Sequence, residues 1–195
     1  YYDGILDLRL YQDLADALKP LMLELLSRGS MVQVDEPSLS QRVLEVGKAV
    51  KLVNLMLEGI PERFLSEGLV SAHVCGALTD NIFKSLLNLN VSTLSLAFGS
   101  RMEEGNIHIL SKEWVERLGK RIGVGCISVR AMDISEVESI PTIINRIRTI
   151  MDRIGYENIA YIHPDCGLRS TPQPVVEKIL ENLSRTGEEI AKITK

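Results

Sequence analysis

Apolar and polar positions follow two different periods along this chain. Across 10–28 the apolar residues Leu14, Leu18, Leu21 and Leu25 recur at helical spacing, and Pro20 inside that run is expected to kink or split the helix. The segment MVQVDEP at 31–37 then takes the two-residue period of a short strand, which proline ends. The chain therefore opens with a predicted helix followed by a predicted strand.

The same change of period recurs through the rest of the chain. Further strands are predicted at 69–75, 91–98, 121–129 and 158–164. Helices are predicted at 40–57, capped by Ser40, at 80–87, capped by Asp80, and at 112–118, 135–154 and 174–193. Five strands that alternate with helices indicate parallel strands with crossover helices, either in an open doubly wound sheet or in a barrel.

Alternation inside the strands distinguishes these two folds. One set of alternate positions is polar or small: Gln33, Asp35, Ser71, His73, Cys75, Thr93, Ser95, Ala97, Cys126 and Ser128. The other set is aliphatic: Val32, Val34, Val70, Val74, Leu94, Leu96, Ile127 and Val129. Strands covered on both faces would be apolar at both sets, so the pattern favours a (β/α) barrel whose polar set faces the axis. Such barrels have eight strands and about 250 residues, so we predict a partial α/β barrel of the (β/α)8 TIM type with about five βα units.

Composition and charge narrow the class of protein. The 195 residues are 45% apolar and 25% charged, which suits one globular domain with a buried core. A net charge of −4 without a long basic run argues against a nucleic-acid partner. No apolar run approaches the ~20 residues of a membrane span, so we expect a soluble, cytoplasmic protein without a membrane partner. The chain begins at Tyr1 rather than at a methionine, which leaves room for an upstream part.

Three cysteines do not make a disulfide framework, and this favours reduced thiols or metal ligands. His73 and Cys75 are two positions apart on a predicted strand, so both side chains leave the same face, and Cys166 follows the last predicted strand at the same rim. One imidazole and two thiolates suit zinc and leave a fourth position for a substrate. The alternative is a buried histidine with two inert core thiols. The spacing alone leaves both interpretations open.

Acidic residues end the first predicted strand. Asp35, rather than Glu36, belongs to the polar set and is expected to face the axis. Its carboxylate would hold a cationic group of a substrate, or else cap the turn before Pro37.

Two glycines and two further histidines have simpler interpretations. Gly123 and Gly125 lie inside a predicted strand without the residues of a phosphate loop, which favours close packing. His108 falls in a predicted loop, and His163 is out of step with Cys166, so neither is expected to bind metal.

Three ordered segments carry a resemblance to a known family: VQVDEPSL at 32–39, SAHVCG at 71–76 and IHPDCGLRS at 162–170. They resemble the DEPAL-type strand end, the HxC pair and the PDCGL segment in the C-terminal catalytic barrel of cobalamin-independent methionine synthases. The resemblance runs along the whole chain and implies barrel strands four to eight. Residues 1–195 would then be the carboxyl part of a single barrel domain, in the short core form.

The resemblance also implies a site. In that family a zinc ion bound by the histidine, both cysteines and a glutamate activates the thiol of homocysteine, which then accepts a methyl group. By position, His73, Cys75 and Cys166 resemble the zinc ligands, and Asp35 resembles the carboxylate that holds the substrate ammonium. A free thiol has a pKa near ~8.5, whereas a zinc-bound thiol is deprotonated, so the methyl transfer needs no separate acid or base.

Two positions depart from the family pattern. Ala97 occupies the place of the glutamate ligand, and the nearest acids are Glu103 and Glu104 in the following loop. The ion would then have three protein ligands, or a loop glutamate would substitute, or the site would be weakened. Folate-using members carry Asp-x-His at the end of the next strand, where this chain has Ser128 and Arg130. Without that proton donor, methylcobalamin or a corrinoid protein is the expected methyl donor, in preference to methyltetrahydrofolate.

The resemblance therefore implies a zinc-dependent methyltransferase that forms methionine from homocysteine. A related enzyme that alkylates another thiol, such as coenzyme M, is the first alternative, and Asp35 favours an amino-acid thiol over it. A non-catalytic partial barrel, as a fragment or accessory subunit, is the second.

Overall fold

A single parallel sheet organises the structure, a computed structural model that describes residues 2–4, 7–41, 44–100 and 103–193. Its strands are β1 Val32–Asp35, β2 Val70–Val74, β3 Thr93–Ala97, β4 Arg121–Ile127 and β5 Ile159–Pro164. Every neighbouring pair is parallel, and the order is β1-β2-β3-β4-β5. The five predicted strands and their parallel arrangement are confirmed, and β1 and β5 are the two edges of the sheet within the described residues.

Helices connect the strands. They are α1 Leu8–Ser27, α2 Ser38–Gln41, α3 Val46–Leu57, α4 Glu62–Ser66, α5 Asp80–Leu86, α6 Asn106–Ile109, α7 Lys112–Arg117, α8 Ile140–Ile154 and α9 Gln173–Ile193. Short 3-10 turns at Ile134–Glu136 and Tyr156–Asn158 precede α8 and β5. Pro20 does not split α1, whose residues Ala15, Met22 and Leu26 are buried on both sides of the proline.

Three helix starts differ from the sequence predictions, either in position or in the residue that caps them. Glu45 accepts hydrogen bonds from the amides of Gly47 and Lys48, so α3 begins at Val46 and the predicted helix 40–57 is two helices; residues 42 and 43 lie outside the described ranges. Thr79, rather than Asp80, caps α5.

The third of these starts belongs to α8. Ser139 caps it, and Pro141 fits its first turn, so it begins at Ile140 rather than near 135.

The aliphatic positions of β2 and β3 form the core beneath the helices, as predicted. Val70, Val74, Leu94 and Leu96 are completely buried, and so is Val124 of β4, which was not in the predicted set. Helices α8 and α9 complete this layer with Ile143, Ile147, Ile150, Ile154, Val175 and Ile179. The opposite face, which we call the inner face, carries His73 and Ser95 and is the side that a barrel would enclose.

The prediction for the inner face was wrong at β4. Ser95 pairs with Gly123 and Ala97 with Gly125, and residues paired in parallel strands share a face. The glycines, not Cys126, therefore lie on the inner face, while Ser128 falls beyond the end of the strand. A Cβ atom added to Gly125 would lie 2.7 Å from the carbonyl oxygen of Leu96 and 2.9 Å from Cα of Asp165, so the close-packing interpretation of this glycine holds.

Helix α1 exposes the leucines whose spacing predicted it. Leu14, Leu18, Leu21 and Leu25 are all at least 38% exposed, whereas Ala15, Met22 and Leu26 on the other side of the helix are buried. Among the described helices, none is long and apolar enough to cross a membrane.

Candidate metal centre

Three predicted ligands meet at the carboxyl end of the sheet. His73 lies on β2, Cys75 follows that strand, and Cys166 follows β5. One nitrogen of His73 and the two sulfur atoms all lie within 4.8 Å of one another. Convergence at this distance suits three ligands of one ion, because zinc ligands at ~2.0–2.3 Å from the metal stand roughly 4 Å apart.

Curvature of the sheet brings the two cysteines together. Strands β2 and β5 are three places apart, and three interstrand spacings of ~4.7–4.9 Å would separate them by roughly 14 Å in a flat sheet. The sulfur atoms of Cys75 and Cys166 nevertheless lie within 4.8 Å. The five strands therefore curl around the inner face, as the wall of a barrel does.

The two thiols influence each other. Burial, together with the nearby Cys166 thiol, raises the pKa of Cys75. Two adjacent thiols resist joint ionisation, whereas a divalent cation between them stabilises both thiolates. The third thiol, Cys126, is completely buried, and burial raises its pKa to about 12. Its chemistry is that of an inert core thiol, and it lies apart from the cluster.

His73 presents one nitrogen to the cluster. The ring is 7% exposed, and its Nε2 atom is buried without a hydrogen-bond partner among the described residues. The other nitrogen, Nδ1, lies 2.9 Å from Oγ of Ser95. Burial lowers the pKa of His73, although the charge of Asp35 and the backbone of Ser95 oppose this shift, so the ring favours its neutral form. A neutral imidazole with a free nitrogen is the form that binds a metal.

Asp35 lies at the end of β1 and pairs in register with His73. Its side chain is exposed, and Oδ1 accepts a hydrogen bond of 2.9 Å from Gln33. The turn around Pro37 is held by Glu36, whose Oε1 accepts from the amide of Ser38 at 3.1 Å. The capping role considered for Asp35 therefore belongs to its neighbour.

A cleft of about 590 Å³ opens beside the cluster. Its wall includes Cys75, Ala97, Glu103, Arg130 and Cys166. A volume of this size falls in the ~300–1,000 Å³ range of small-molecule sites. The cleft and the cluster therefore share one end of the sheet.

Two acidic side chains, Glu103 and Asp165, line this cleft. Glu103 is 3% exposed; Oε1 accepts from Arg130 at 3.2 Å, and Oε2 has no hydrogen-bond partner in the described part of the chain. Asp165 is also buried, and burial raises its pKa to about 6, although the amide of Val129 donates to it at 3.0 Å. Neither carboxylate belongs to the converging group of donors around His73.

Two inner-face residues, His163 and Ser95, make contacts that the sequence analysis did not predict. His163 pairs in register with Gly125, so its ring points toward His73, with the ring centroids 5.9 Å apart. Ser95 lies between them and contacts both rings. The sequence could have placed His163 through its spacing of two from Tyr161, because residues two apart on a strand share a face. The comparison with Cys166 was misleading, because β5 ends at Pro164 and the alternation of side chains stops there. His108 lies on the short helix α6 rather than in a loop, and it is not part of the cluster.

The fold and the cluster define the class: a (β/α) barrel with a group of side chains that could hold a metal ion at the carboxyl end of its strands. The chain belongs to the cobalamin-independent synthase family, since the family's catalytic-domain pattern matches residues 7–189. This membership confirms the family resemblance of the three motifs.

Similar proteins include methionine synthases of two Methanothermobacter species. The chain is 33% identical over 184 residues to that of Methanothermobacter thermautotrophicus, covering 94% of this chain and 55% of that protein. It is 33% identical over 182 residues to that of Methanothermobacter marburgensis, covering 93% and 54%. The chain thus spans about half the length of these curated relatives.

A solved structure has the same fold. The B12-independent methionine synthase from Shewanella sp. W3-18-1, determined in complex with selenomethionine, superposes with a TM-score of 0.75 at 20% identity. The match covers all of this chain and 58% of that one. This likeness confirms the predicted TIM-type barrel fold, of which the five-stranded sheet is a part.

Proposed function

We propose that this chain carries the zinc site and the homocysteine site of a methionine-forming methyltransferase. The observation that carries the proposal is the convergence of His73, Cys75 and Cys166 within 4.8 Å, beside a cleft of suitable size. Residues 1–195 would form the carboxyl part of a single barrel domain. The edges at β1 and β5 support this, because exposed edges of a parallel sheet are normally covered.

The donors suit zinc. Nε2 of His73 is buried and unpartnered among the described residues, and a nitrogen of this ring lies within 4.8 Å of the two thiol sulfur atoms. Imidazole and thiolate are the ligands that zinc prefers, and three protein ligands leave one position for a substrate. When bound, zinc supplies the deprotonation of a coordinated thiol near neutral pH. Ala97, with its methyl side chain, contributes no fourth donor, and that position would receive the thiol of homocysteine.

Asp35 would hold the ammonium group of homocysteine. Its carboxylate is exposed and lies in the same row of the sheet as His73, so a bound amino acid could reach both the carboxylate and the metal ligands. An anionic partner selects an amino-acid thiol over coenzyme M, which has no ammonium group. This contact is the basis for preferring homocysteine as the acceptor.

Methylcobalamin or a corrinoid protein would be the methyl donor in preference to methyltetrahydrofolate. A folate donor requires an acid near the transferred group, because its leaving nitrogen must be protonated. At the end of β4, Arg130 is bound to Glu103, and arginine does not release a proton near neutral pH. The hydroxyl of Ser128 accepts from the amide of Arg130 and is a poor acid.

Methionine formation by the full-length protein tests this proposal. Homocysteine and zinc are supplied with methylcobalamin in one assay and with methyltetrahydrofolate in another, and coenzyme M replaces homocysteine in a third. We expect turnover with methylcobalamin and homocysteine. The His73→Ala variant should lose this turnover, and the Cys126→Ala variant should keep it. Efficient turnover with the folate would contradict the assigned donor and would direct attention to Asp165 as the acid. Preference for coenzyme M would contradict the role of Asp35, and inactivity with every pair would favour the non-catalytic alternative.

A further inference from the structure

A chain of hydrogen bonds links His73 to the backbone at the end of β5. Nδ1 of His163 lies 2.5 Å from the carbonyl oxygen of Pro164, and its Nε2 lies 3.0 Å from Oγ of Ser95. The same Oγ atom lies 2.9 Å from Nδ1 of His73. Three side chains on three strands are thereby connected in series, and the series ends at the unpartnered Nε2 atom of His73.

The directions of these hydrogen bonds follow from the carbonyl group. A carbonyl oxygen only accepts, so Nδ1 of His163 carries a proton. A neutral imidazole has one proton, which leaves Nε2 of His163 as an acceptor for the hydroxyl of Ser95. Ser95 donates its single hydroxyl proton to Nε2 of His163. Toward His73, Ser95 Oγ can therefore only accept a hydrogen bond, and the donor is Nδ1–H of His73. This order leaves Nε2 of His73 with a bare lone pair.

The opposite order would put a proton on Nε2 of His73, where no acceptor is present among the described residues. A buried donor without an acceptor has lost its hydrogen bonds to water without replacing them, so the first order is favoured.

We propose that Ser95 and His163 are positioning residues that fix His73 as its Nδ1–H tautomer and so present Nε2 to the metal. This inference rests on the proposed zinc site for its consequence, but the tautomer itself is a property of the metal-free protein. A metal-ligating histidine is normally held through its other nitrogen by a carbonyl, a carboxylate or water. In this chain a serine occupies that place, and a second histidine orients the serine.

The tautomer is read directly by nitrogen NMR of the metal-free, full-length protein with 15N-labelled histidine. The chain contains three histidines, and His73→Gln identifies the signals of His73. We expect a protonated, pyrrole-type Nδ1 and an unprotonated, pyridine-type Nε2 for His73, and the same tautomer for His163. A proton on Nε2 of either ring in the wild-type protein would overturn the inference. The tautomer is measured without zinc. A wrong tautomer assignment can therefore be distinguished from failure of the proposed function.

Removing the serine hydroxyl tests the positioning role. Ser95→Ala should leave His73 as a mixture of tautomers and weaken zinc binding by about 10–100-fold in a competition with a chelator. Ser95→Thr keeps the hydroxyl and should restore both the tautomer and the affinity. Ser71→Ala is the matched control, because Ser71 is a buried serine of β2 whose hydroxyl bonds to the carbonyl of Val32 rather than to a histidine.

Two results would overturn the positioning role. One is a Ser95→Ala protein that binds zinc as tightly as wild type and keeps a single His73 tautomer. The other is an equal loss of affinity in Ser71→Ala, which would show a general effect of buried hydroxyl groups on the sheet. If circular dichroism shows that Ser95→Ala misfolds, the inference is tested by the His73 tautomer in the nitrogen NMR spectrum of the wild-type protein and by the zinc affinity of Ser95→Thr.

Discussion

Cys75 and Cys166 lie within 4.8 Å of each other at their sulfur atoms, although the strands that they follow are three places apart in the sheet. This proximity raises the pKa of Cys75 beyond the effect of burial alone. The two residues therefore behave as a pair, in contrast to Cys126, which is completely buried elsewhere in the core. That contrast makes the three thiols distinguishable in solution.

Thiol alkylation should distinguish the three cysteines. In metal-free protein at about pH 8 we expect Cys166 to react first, because it is exposed, and Cys75 next, because its thiolate is disfavoured. Cys126 should stay unmodified, since its pKa of about 12 and its burial keep the thiol protonated and inaccessible. Mass spectrometry after timed alkylation measures all three rates.

Zinc is the control for that experiment. Added zinc should protect Cys75 and Cys166 together and leave Cys126 unchanged. Protection of only one of the pair, or modification of Cys126 at the rate of Cys166, would contradict the grouping of the thiols.

Gly125→Ala should destabilise the protein. The added methyl group would press on the backbone of Leu96 and Asp165, and forced overpacking of this kind costs about 1–3 kcal/mol of the free energy of unfolding. The shift of Asp165 would also displace Cys166 and weaken metal binding. Chemical denaturation and a metal-binding titration measure the two effects.

Gly105→Ala is the matched control for that variant. A Cβ atom at Gly105 meets no atom within 4 Å, and its φ of −59° suits any residue. Its unfolding curve should stay near that of wild type. Equal stability of the two variants would contradict the close approach of β4 to the segment after β5.

Asp35→Asn should weaken homocysteine binding. Loss of a charge-assisted contact worth about 1.5 kcal/mol corresponds to a roughly tenfold higher KM, with a smaller change in kcat. The matched substrate is a thiol of the same length without the amino group, for which wild type and Asp35→Asn should behave alike. Equal KM values for homocysteine in the two proteins would exclude Asp35 from ammonium binding.

Sequence patterns predicted the sheet and the convergence of His73, Cys75 and Cys166. Spacing of two along a strand put His73 and Cys75 on one face, and the period changes located all five strands. Such patterns work because side chains of a strand alternate and parallel strands share their carboxyl edge.

The same patterns failed where the polarity of a residue did not indicate which face of the sheet its side chain lies on. Cys126 was assigned to the inner face as a polar residue, whereas the face is occupied by Gly123 and Gly125, which have no side chain to indicate it. His163 was compared with Cys166 across the end of a strand, where alternation stops. The burial of Glu103 depends on the path of a loop, which no local period encodes.

Single substitutions of the ligands should separate metal binding from folding. His73→Ala, Cys75→Ala and Cys166→Ala should each lose most of the bound zinc, because each removes one of three protein ligands. Cys126→Ala removes a thiol of the same type outside the cluster and should retain it. Elemental analysis of proteins purified in parallel measures the difference, and zinc loss from Cys126→Ala alone would contradict the assignment.

X-ray absorption at the zinc edge, recorded on the full-length protein with and without homocysteine, tests the proposed zinc and homocysteine site directly. Without homocysteine, we expect about one zinc per chain with two sulfur ligands near ~2.3 Å and one histidine nitrogen near ~2.0–2.1 Å. With homocysteine, a third sulfur should join the shell as the substrate thiol binds. A protein that retains no zinc, or a sulfur shell that homocysteine leaves unchanged, would contradict a site in which His73, Cys75 and Cys166 hold the metal for a substrate thiol.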